Sequence, residues 1–181
     1  KWDGSTGSWW DDNNTDQAVV DYMLSKSIQT LTGQSSDPNA WDALFRHFNQ
    51  TKGFGDIGYQ VGEKVAIKIN KNEDDRASWS PSRGVPSPHL IHSVLDQLIN
   101  VVGVPGSAIT IYDASRYIGD PIFNKVRNNP DPNFKSVTFV VKPNRAGNGR
   151  IGAVHDPSIP IYTKAGTAYL PRSVTGAKYL I

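Results

Sequence analysis

Hydrophobic residues follow two alternating patterns between positions 62 and 142. Three short runs rich in β-branched residues are typical of strands, and they occupy residues 64–70, 108–113 and 136–142. Helical spacing of apolar residues separates these runs. Strands that alternate with helices favour a parallel sheet with crossover connections. The sequence therefore predicts an α/β fold, with a mostly parallel sheet, flanking helices and a Rossmann-like alternation.

The clearest helical pattern covers about residues 87–102. Pro88 stands in its first turn and Gly103 follows its end, which are typical positions for these residue types. Its apolar face comprises Leu90, Ile91, Val94, Leu95, Leu98, Ile99 and Val102. We expect this helix to pack against the sheet. A shorter helix is predicted after Asp120 and Pro121.

The two ends of the chain differ from this central part. Residues 1–61 begin with an irregular, tryptophan-containing arm, followed by a helix that Thr15 can cap and by a second helix that starts at Pro38. The tryptophans of the arm are Trp2, Trp9 and Trp10. From Pro143 onward the pattern predicts mainly loops. We divide the chain into an arm with two helices (1–61), which packs on the core, and an α/β core (62–181).

Charge and composition exclude several classes of protein. The net charge is +2, and no block of like charges runs along the chain, so nucleic acid is not an expected partner. The absence of cysteine excludes disulfides, thiol catalysis and an iron–sulfur cluster ligated by this chain, and it slightly favours an exported protein. No apolar run approaches the roughly 20 residues of a membrane span.

Four segments carry a resemblance to a known family. They are Gly62 to Asn70 (GEKVAIKIN), the helix from Pro88 to Gly103, the strand Ile109 to Asp113 and the closing residues Ala177 to Ile181. In these segments the chain resembles the family called domain of unknown function 362. Trp9-Trp10 and the helix start at Asn14-Thr15-Asp16 are similar to the amino-terminal part of exported members from Bacteroidota-type bacteria.

This resemblance implies three further expectations. Some family members carry twin-arginine export signals, so we expect a periplasmic or extracellular protein. Some are associated with iron–sulfur domains, although this chain has no cysteine to ligate a cluster. The family segment that resembles residues 177–181 is an interior strand followed by more sheet. We therefore expect an incomplete domain, truncated at its C-terminal end, whose open edge is covered by the rest of the same domain or by a partner chain.

Candidate site residues gather where the predicted strands end. Ligands of open parallel sheets bind beyond the carboxyl ends of the strands, so we expect Lys68, Asn70 and Asp113 to converge in one cleft. The candidate catalytic residues are Lys68, Asp113 and His155, and the candidate ligand-binding residues are Asn70, Asn72 and Arg116. The candidate metal ligands are Asp74, Asp75 and Asp113, because oxygen donors on a loop suit a divalent cation.

Each candidate has a simpler explanation. The acidic loop after the first strand can be a solvated loop, Asp113 can stabilise a turn, and His155 with Asp156 can form another turn. His89 and His92 are more typical of surface helix histidines than of zinc ligands. No glycine-rich phosphate loop follows a strand, which disfavours a nucleotide.

Two functional hypotheses remain open. The first is an exported α/β enzyme or a domain that binds a cofactor or a divalent metal at the strand ends. The second is a non-catalytic binding or assembly module that uses the tryptophan-rich arm and the loops, because exposed indoles are common at interfaces.

Overall fold

The computed structural model describes residues 2–71, 78–80 and 84–181. The chain forms two compact units. The first comprises the described residues up to Gly62 together with Ser87–Pro105, and the second comprises the described residues of Glu63–Pro86 together with Gly106–Ile181. The helix predicted over residues 87–102 lies in the first unit. The packing of residues 1–61 and of this helix on the α/β core stays a prediction.

The first unit is helical. It contains α1 (Gln17–Thr32), α2 (Asp37–Thr51) and α3 (Pro88–Asp96), and α3 continues as a π-helical segment, Gln97–Val102. Gly103 ends this segment with a positive φ of 83°, which glycine adopts without steric cost. The helix predicted over residues 87–102 is thus confirmed, although its last six residues are π-helical.

The cap of α1 differs from the expected one. Asp16, rather than Thr15, is the N-cap residue, and its carboxylate accepts hydrogen bonds from the amides of Ala18 and Val19. The Thr15 hydroxyl donates instead to the carbonyl of Trp9. Thr15 and Asp16 are both residue types that can cap a helix. Because the Thr15 hydroxyl is bonded to Trp9, Asp16 caps the helix instead.

The second unit contains a five-stranded parallel sheet, as the alternation predicted. Its strands are β1 (Val65–Lys68), β2 (Ile109–Tyr112), β3 (Thr138–Val141), β4 (Ile151–Gly152) and β7 (Tyr179–Leu180), and their order is β4-β3-β2-β1-β7. All four pairings are parallel. Short helices connect them, namely α4 (Asp120–Arg127), α5 (Pro132–Ser136) and α6 (Arg172–Thr175). The predicted helix after Asp120 is therefore confirmed.

Strand register shows how the core of the sheet forms. Lys68 of β1 aligns with Tyr112 of β2, and Tyr112 aligns with Val140 of β3. Cβ atoms of aligned residues point to the same face of a sheet, so Ala66, two residues before Lys68, also shares this face. Ala66, Tyr112 and Val140 form one buried apolar cluster with Ala153. Lys68 is the exposed end of an otherwise buried strand.

An antiparallel hairpin occupies much of the region predicted as loops. It consists of β5 (His155–Thr163) and β6 (Gly166–Pro171), which are joined by two residues. Prolines 157 and 160 obscured β5, because proline within a run argues against a strand. The structure corrects the loop prediction here. Among the described residues, no helix has the length and apolar character needed to cross a membrane.

The N-caps of α1 and α2 allow a matched test of helix stability. Replacing Asp16 by alanine removes the two capping bonds of α1, and we expect a loss of about 1 kcal/mol in the free energy of unfolding. Ser36, the N-cap of α2, makes no side-chain capping bond, so Ser36→Ala should cost a few tenths of that amount. Urea denaturation of both variants measures the difference, and equal losses would contradict the assignment of the caps.

Candidate functional site

The carboxyl edge of the parallel sheet contains a topological switch point. The chain leaves β1 toward β2, β3 and β4 on one side, whereas β7 pairs with β1 on the other side. In open parallel sheets, the crevice beyond such a reversal is the usual place for a ligand. Lys68 ends β1 at this point, and its amide donates to the Ile181 carbonyl, 2.8 Å away. The residues that follow β1 and β2 therefore line the expected crevice.

A buried carboxylate organises this edge. Asp113 directly follows β2, and only 2% of its surface is exposed. Its Oδ1 accepts from the Ser115 amide at 3.0 Å and from the Ser115 hydroxyl at 2.8 Å. Its Oδ2 accepts from the Lys71 amide at 3.0 Å and from Lys68 Nζ at 3.3 Å. The first oxygen thus stabilises the turn after β2, and the second joins β2 to the end of β1.

The pKa of Asp113 lies below its ordinary value. Burial alone would raise this pKa, because it disfavours the charged form. The hydrogen bonds from Ser115, the charge of Lys68 and the hydrogen bond from the Lys71 amide together outweigh that effect. Asp113 is therefore ionised at neutral pH. With four hydrogen bonds already accepted, its oxygens have little capacity left for a proton or a metal, so the carboxylate positions its neighbours.

Lys68 presents a half-exposed cation at this edge. Its side chain is 43% exposed, and its Nζ donates to the Ile69 carbonyl at 2.7 Å and to Asp113 at 3.3 Å. An ammonium group has three N–H donors, so these two bonds leave one for a ligand or water. Nζ also lies 6.0 Å from the centre of the Tyr112 ring. Lys68 is consequently oriented by two bonds at its ammonium group, while its side chain stays partly exposed.

Lys71 is a second lysine of the same loop, and it is fully buried. Its Nζ lies 4.0 Å from the centre of the Trp79 ring, a distance typical of a cation–π contact. Trp79 in turn packs against Gly119, where a Cβ atom would lie 2.1 Å from the indole nitrogen. Only glycine leaves room for the indole at that position. The stack of Lys71, Trp79 and Gly119 therefore anchors the loop after β1.

The other predicted site residues are distributed more widely. Asn70 and Arg116 are exposed near the ends of β1 and β2, and Lys68 and Asp113 meet as expected. His155 is exposed at the start of the β5–β6 hairpin. Asn72, Asp74 and Asp75 lie outside the described residues. Within the described part of the chain, no group of three or more His, Asp or Glu side chains is arranged to hold a metal ion.

The surface prediction for the helical histidines is wrong for His89. This residue is fully buried in the first unit, and its Nε2 lies 2.9 Å from Asp12 Oδ1. The Asp12 side chain belongs to the tryptophan-containing arm and is 81% exposed. Helical spacing alone could not reveal this burial, because the arm that covers His89 lies 77 residues away in sequence.

Comparison with known proteins adds no relative. A scan against protein-family models finds no match for the chain, and searches of curated proteins and of solved structures find none either. The resemblance to domain of unknown function 362 therefore stays a prediction.

Removing the charge of Asp113 should weaken the fold at neutral pH. In Asp113→Asn, a side-chain amide replaces a carboxylate that accepts four hydrogen bonds. The NH₂ group of this amide cannot accept a hydrogen bond, so it would leave some of the neighbouring donors without an acceptor. We expect a loss of about 2 to 4 kcal/mol in the free energy of unfolding at pH 7. Asp56→Asn serves as the control, since that side chain is 65% exposed and its pair with Arg46 is a surface ion pair.

The same variant should alter the response to acid. A lowered pKa contributes stability that is fully present above the unfolded-state value of about 3.9 and is lost as pH falls through the folded-state value. The difference between wild type and Asp113→Asn should therefore shrink when urea denaturation is repeated near pH 3. A difference that stays constant from pH 7 to pH 3 would contradict the role of the ionised carboxylate.

A substitution at Gly119 should disturb the loop anchor. Gly119→Ala places a methyl group against the Trp79 indole, and we expect a loss of about 1 to 3 kcal/mol through overpacking. In a Trp79→Leu background, Gly119→Ala should cost less stability, because the indole nitrogen that the methyl group would meet is absent. A double-mutant cycle from denaturation curves measures the coupling, and additive losses would show that the two residues do not interact.

Proposed function

We propose that this chain is an α/β domain that binds a small-molecule ligand, as an enzyme or as a cofactor-binding domain, at the carboxyl edge of its parallel sheet. The observation that carries this proposal is the pairing of Lys68 with Asp113. These residues end two neighbouring strands, are 45 positions apart in sequence and lie 3.3 Å apart at the switch point. This edge is where such sheets bind their ligands.

The charge arrangement supports a binding role over a purely structural one. Burying an ionised carboxylate is costly, and well-packed apolar residues often stabilise a fold as well as a buried ion pair does. Perturbed charged groups in a cleft are common at functional sites. Asp113 would act as a positioning residue, and Lys68 would contact the ligand through its exposed ammonium group.

Three finer proposals rest on the sequence. Membership of the domain of unknown function 362 family and export from the cell are supported by the four matching segments and by the similarity around Trp9-Trp10. A divalent cation is the second candidate ligand, because Glu73, Asp74 and Asp75 follow β1 in sequence and supply the oxygen donors that such ions prefer.

A thermal-shift screen tests the proposed site. A ligand that binds the folded protein raises its melting temperature, and we expect at least one compound of a metabolite and cofactor panel to do so. Lys68→Met should abolish or strongly reduce that rise, because the variant removes the accessible cation. Trp9→Ala, which alters the arm, should leave the rise unchanged.

The opposite response of these two variants would favour the second hypothesis, a non-catalytic binding or assembly module that uses the tryptophan-rich arm. If Trp9→Ala removes the rise and Lys68→Met retains it, the ligand binds the arm and the proposed site is wrong. Asp113→Asn adds a second measure of the site, since it should weaken binding by releasing Lys68 while leaving the ammonium group itself in the protein.

A further inference from the structure

We infer that the ligand of this edge is a small polyanion, recognised jointly by Lys68 after β1 and by Lys142 after β3. This inference rests on the proposed function, because it names the chemical class of ligand for the same site. Its support is the arrangement of charged residues on three neighbouring strand ends.

The two cations stand at the same edge of the sheet, at the ends of two strands that are separated by one strand. Lys68 ends β1, and Lys142 directly follows β3, with β2 between them. Neighbouring strands lie about 4.8 Å apart, and Lys142 stands two residues beyond the residue that aligns with Lys68, so the backbones of the two lysines are separated by about 12 Å. Two flexible lysine side chains can converge on one ligand over that distance.

The loops that carry these residues are joined to one another. The amide of Lys142 donates to the Arg116 carbonyl at 3.0 Å, which links the start of the loop after β3 to the loop after β2. The Asp113 carboxylate links the loop after β2 to Lys68 and to the Lys71 amide. The backbones of the three strand ends are therefore linked to one another, and the Lys68 ammonium group is also held by Asp113.

Basic residues outnumber acidic ones in the described starts of these three loops. The described residues 69–71, 113–116 and 142–145 contain four basic residues and one acid, Asp113. Of the basic residues, Arg116, Lys142 and Arg145 are exposed and Lys68 is partly exposed, whereas Lys71 is buried against Trp79. Asp113 is buried, and its charge is already compensated by four hydrogen bonds. An excess of exposed positive charge at the described loop starts attracts anions. Glu73, Asp74 and Asp75, which follow Asn72 in sequence, are the residues that would favour a cation instead.

The sequence of these loops also indicates how the anion is held. Sheet proteins that bind phosphate through backbone amides place a glycine-rich loop after a strand, and Ile69-Asn70-Lys71 contains no glycine. Recognition here would come from side-chain ammonium groups. Such contacts suit a compact ligand with two or more charges, of the phosphate or carboxylate type, and they weaken with added salt.

The experiment is an NMR titration of the ¹⁵N-labelled protein at low ionic strength, with inorganic pyrophosphate, citrate and Mg²⁺ as separate probes. We expect pyrophosphate or citrate to shift the amides of residues 69–71, 113–116 and 142. Lys142→Met should weaken that binding about tenfold, as expected for the loss of one charge-assisted contact. Lys68→Met should weaken it at least as much.

Lys135→Met is the matched control. Lys135 is also exposed, but it precedes β3, so it stands at the opposite edge of the sheet from Lys142. Its substitution changes the net charge equally and should alter the affinity less than twofold. Among the described residues, the Lys142 side chain makes no hydrogen bond or ion pair, so we do not expect Lys142→Met to destabilise the fold. This variant therefore keeps the test valid even if Lys68→Met does destabilise it.

Each outcome decides between the two proposals. Equal weakening by Lys135→Met and Lys142→Met would show nonspecific attraction and overturn the inference. If the edge amides respond to Mg²⁺ and to neither anion, the polyanion is wrong while the proposed site stands. If they respond to none of the probes and the thermal-shift screen is also negative, both proposals fail. A response to citrate alone or to pyrophosphate alone supports the inference and assigns the carboxylate or the phosphate class.

Discussion

An ionised carboxylate that is buried must be surrounded by donors, and the carboxyl edge of this sheet is arranged around that requirement. Asp113 is 2% exposed, and it meets the requirement with donors from two different loops. Breaking this arrangement would leave a charge without solvation, which is among the most costly defects in a folded protein. The positions of the Lys71 backbone, the Ser115 turn and the Lys68 ammonium group all follow from this one group.

The parallel sheet makes the arrangement possible. Aligned strands that run in the same direction end at the same edge, so backbone pairing alone already brings the last residue of β1 close to the first residue after β2. The central place of β1, between β2 and β7, then sets Lys68 beside the reversal of strand order. The site thus depends on backbone pairing for its position and on Asp113 for its detailed geometry.

This division explains what the sequence could predict. The strands that end at Lys68 and Asp113 were recognisable because buried parallel strands are continuous β-branched runs, and their parallel pairing predicted that the two residues would meet. The four donors to Asp113 could not be predicted, since the orientation of loop amides is fixed only by tertiary structure. The same limit applied to His89, whose burial depends on the distant Asp12.

The β5–β6 hairpin was missed for a different physical reason. Proline cannot donate to a strand ladder, so Pro157 and Pro160 argued against a strand, yet a strand with one unpaired edge tolerates proline when the missing N–H faces away from its partner. The two residues between the strands, Lys164 and Ala165, are not an Asn-Gly or Asp-Gly pair, so the turn was marked in the sequence only by Gly166, whose φ of 121° favours glycine.

Lys68 and Lys71 show how residues 68–71 can combine a fixed geometry with the ability to bind. Lys71 is buried against Trp79, and its backbone amide is held by Asp113, so this residue is fixed by both its side chain and its backbone. Lys68 shares the same carboxylate oxygen, but 43% of its side chain is exposed. An ammonium group that is already oriented loses less entropy when a ligand arrives than a freely rotating one would, which favours tight recognition of charge. The stability of the loop and the orientation of the binding cation therefore have a common physical origin in Asp113.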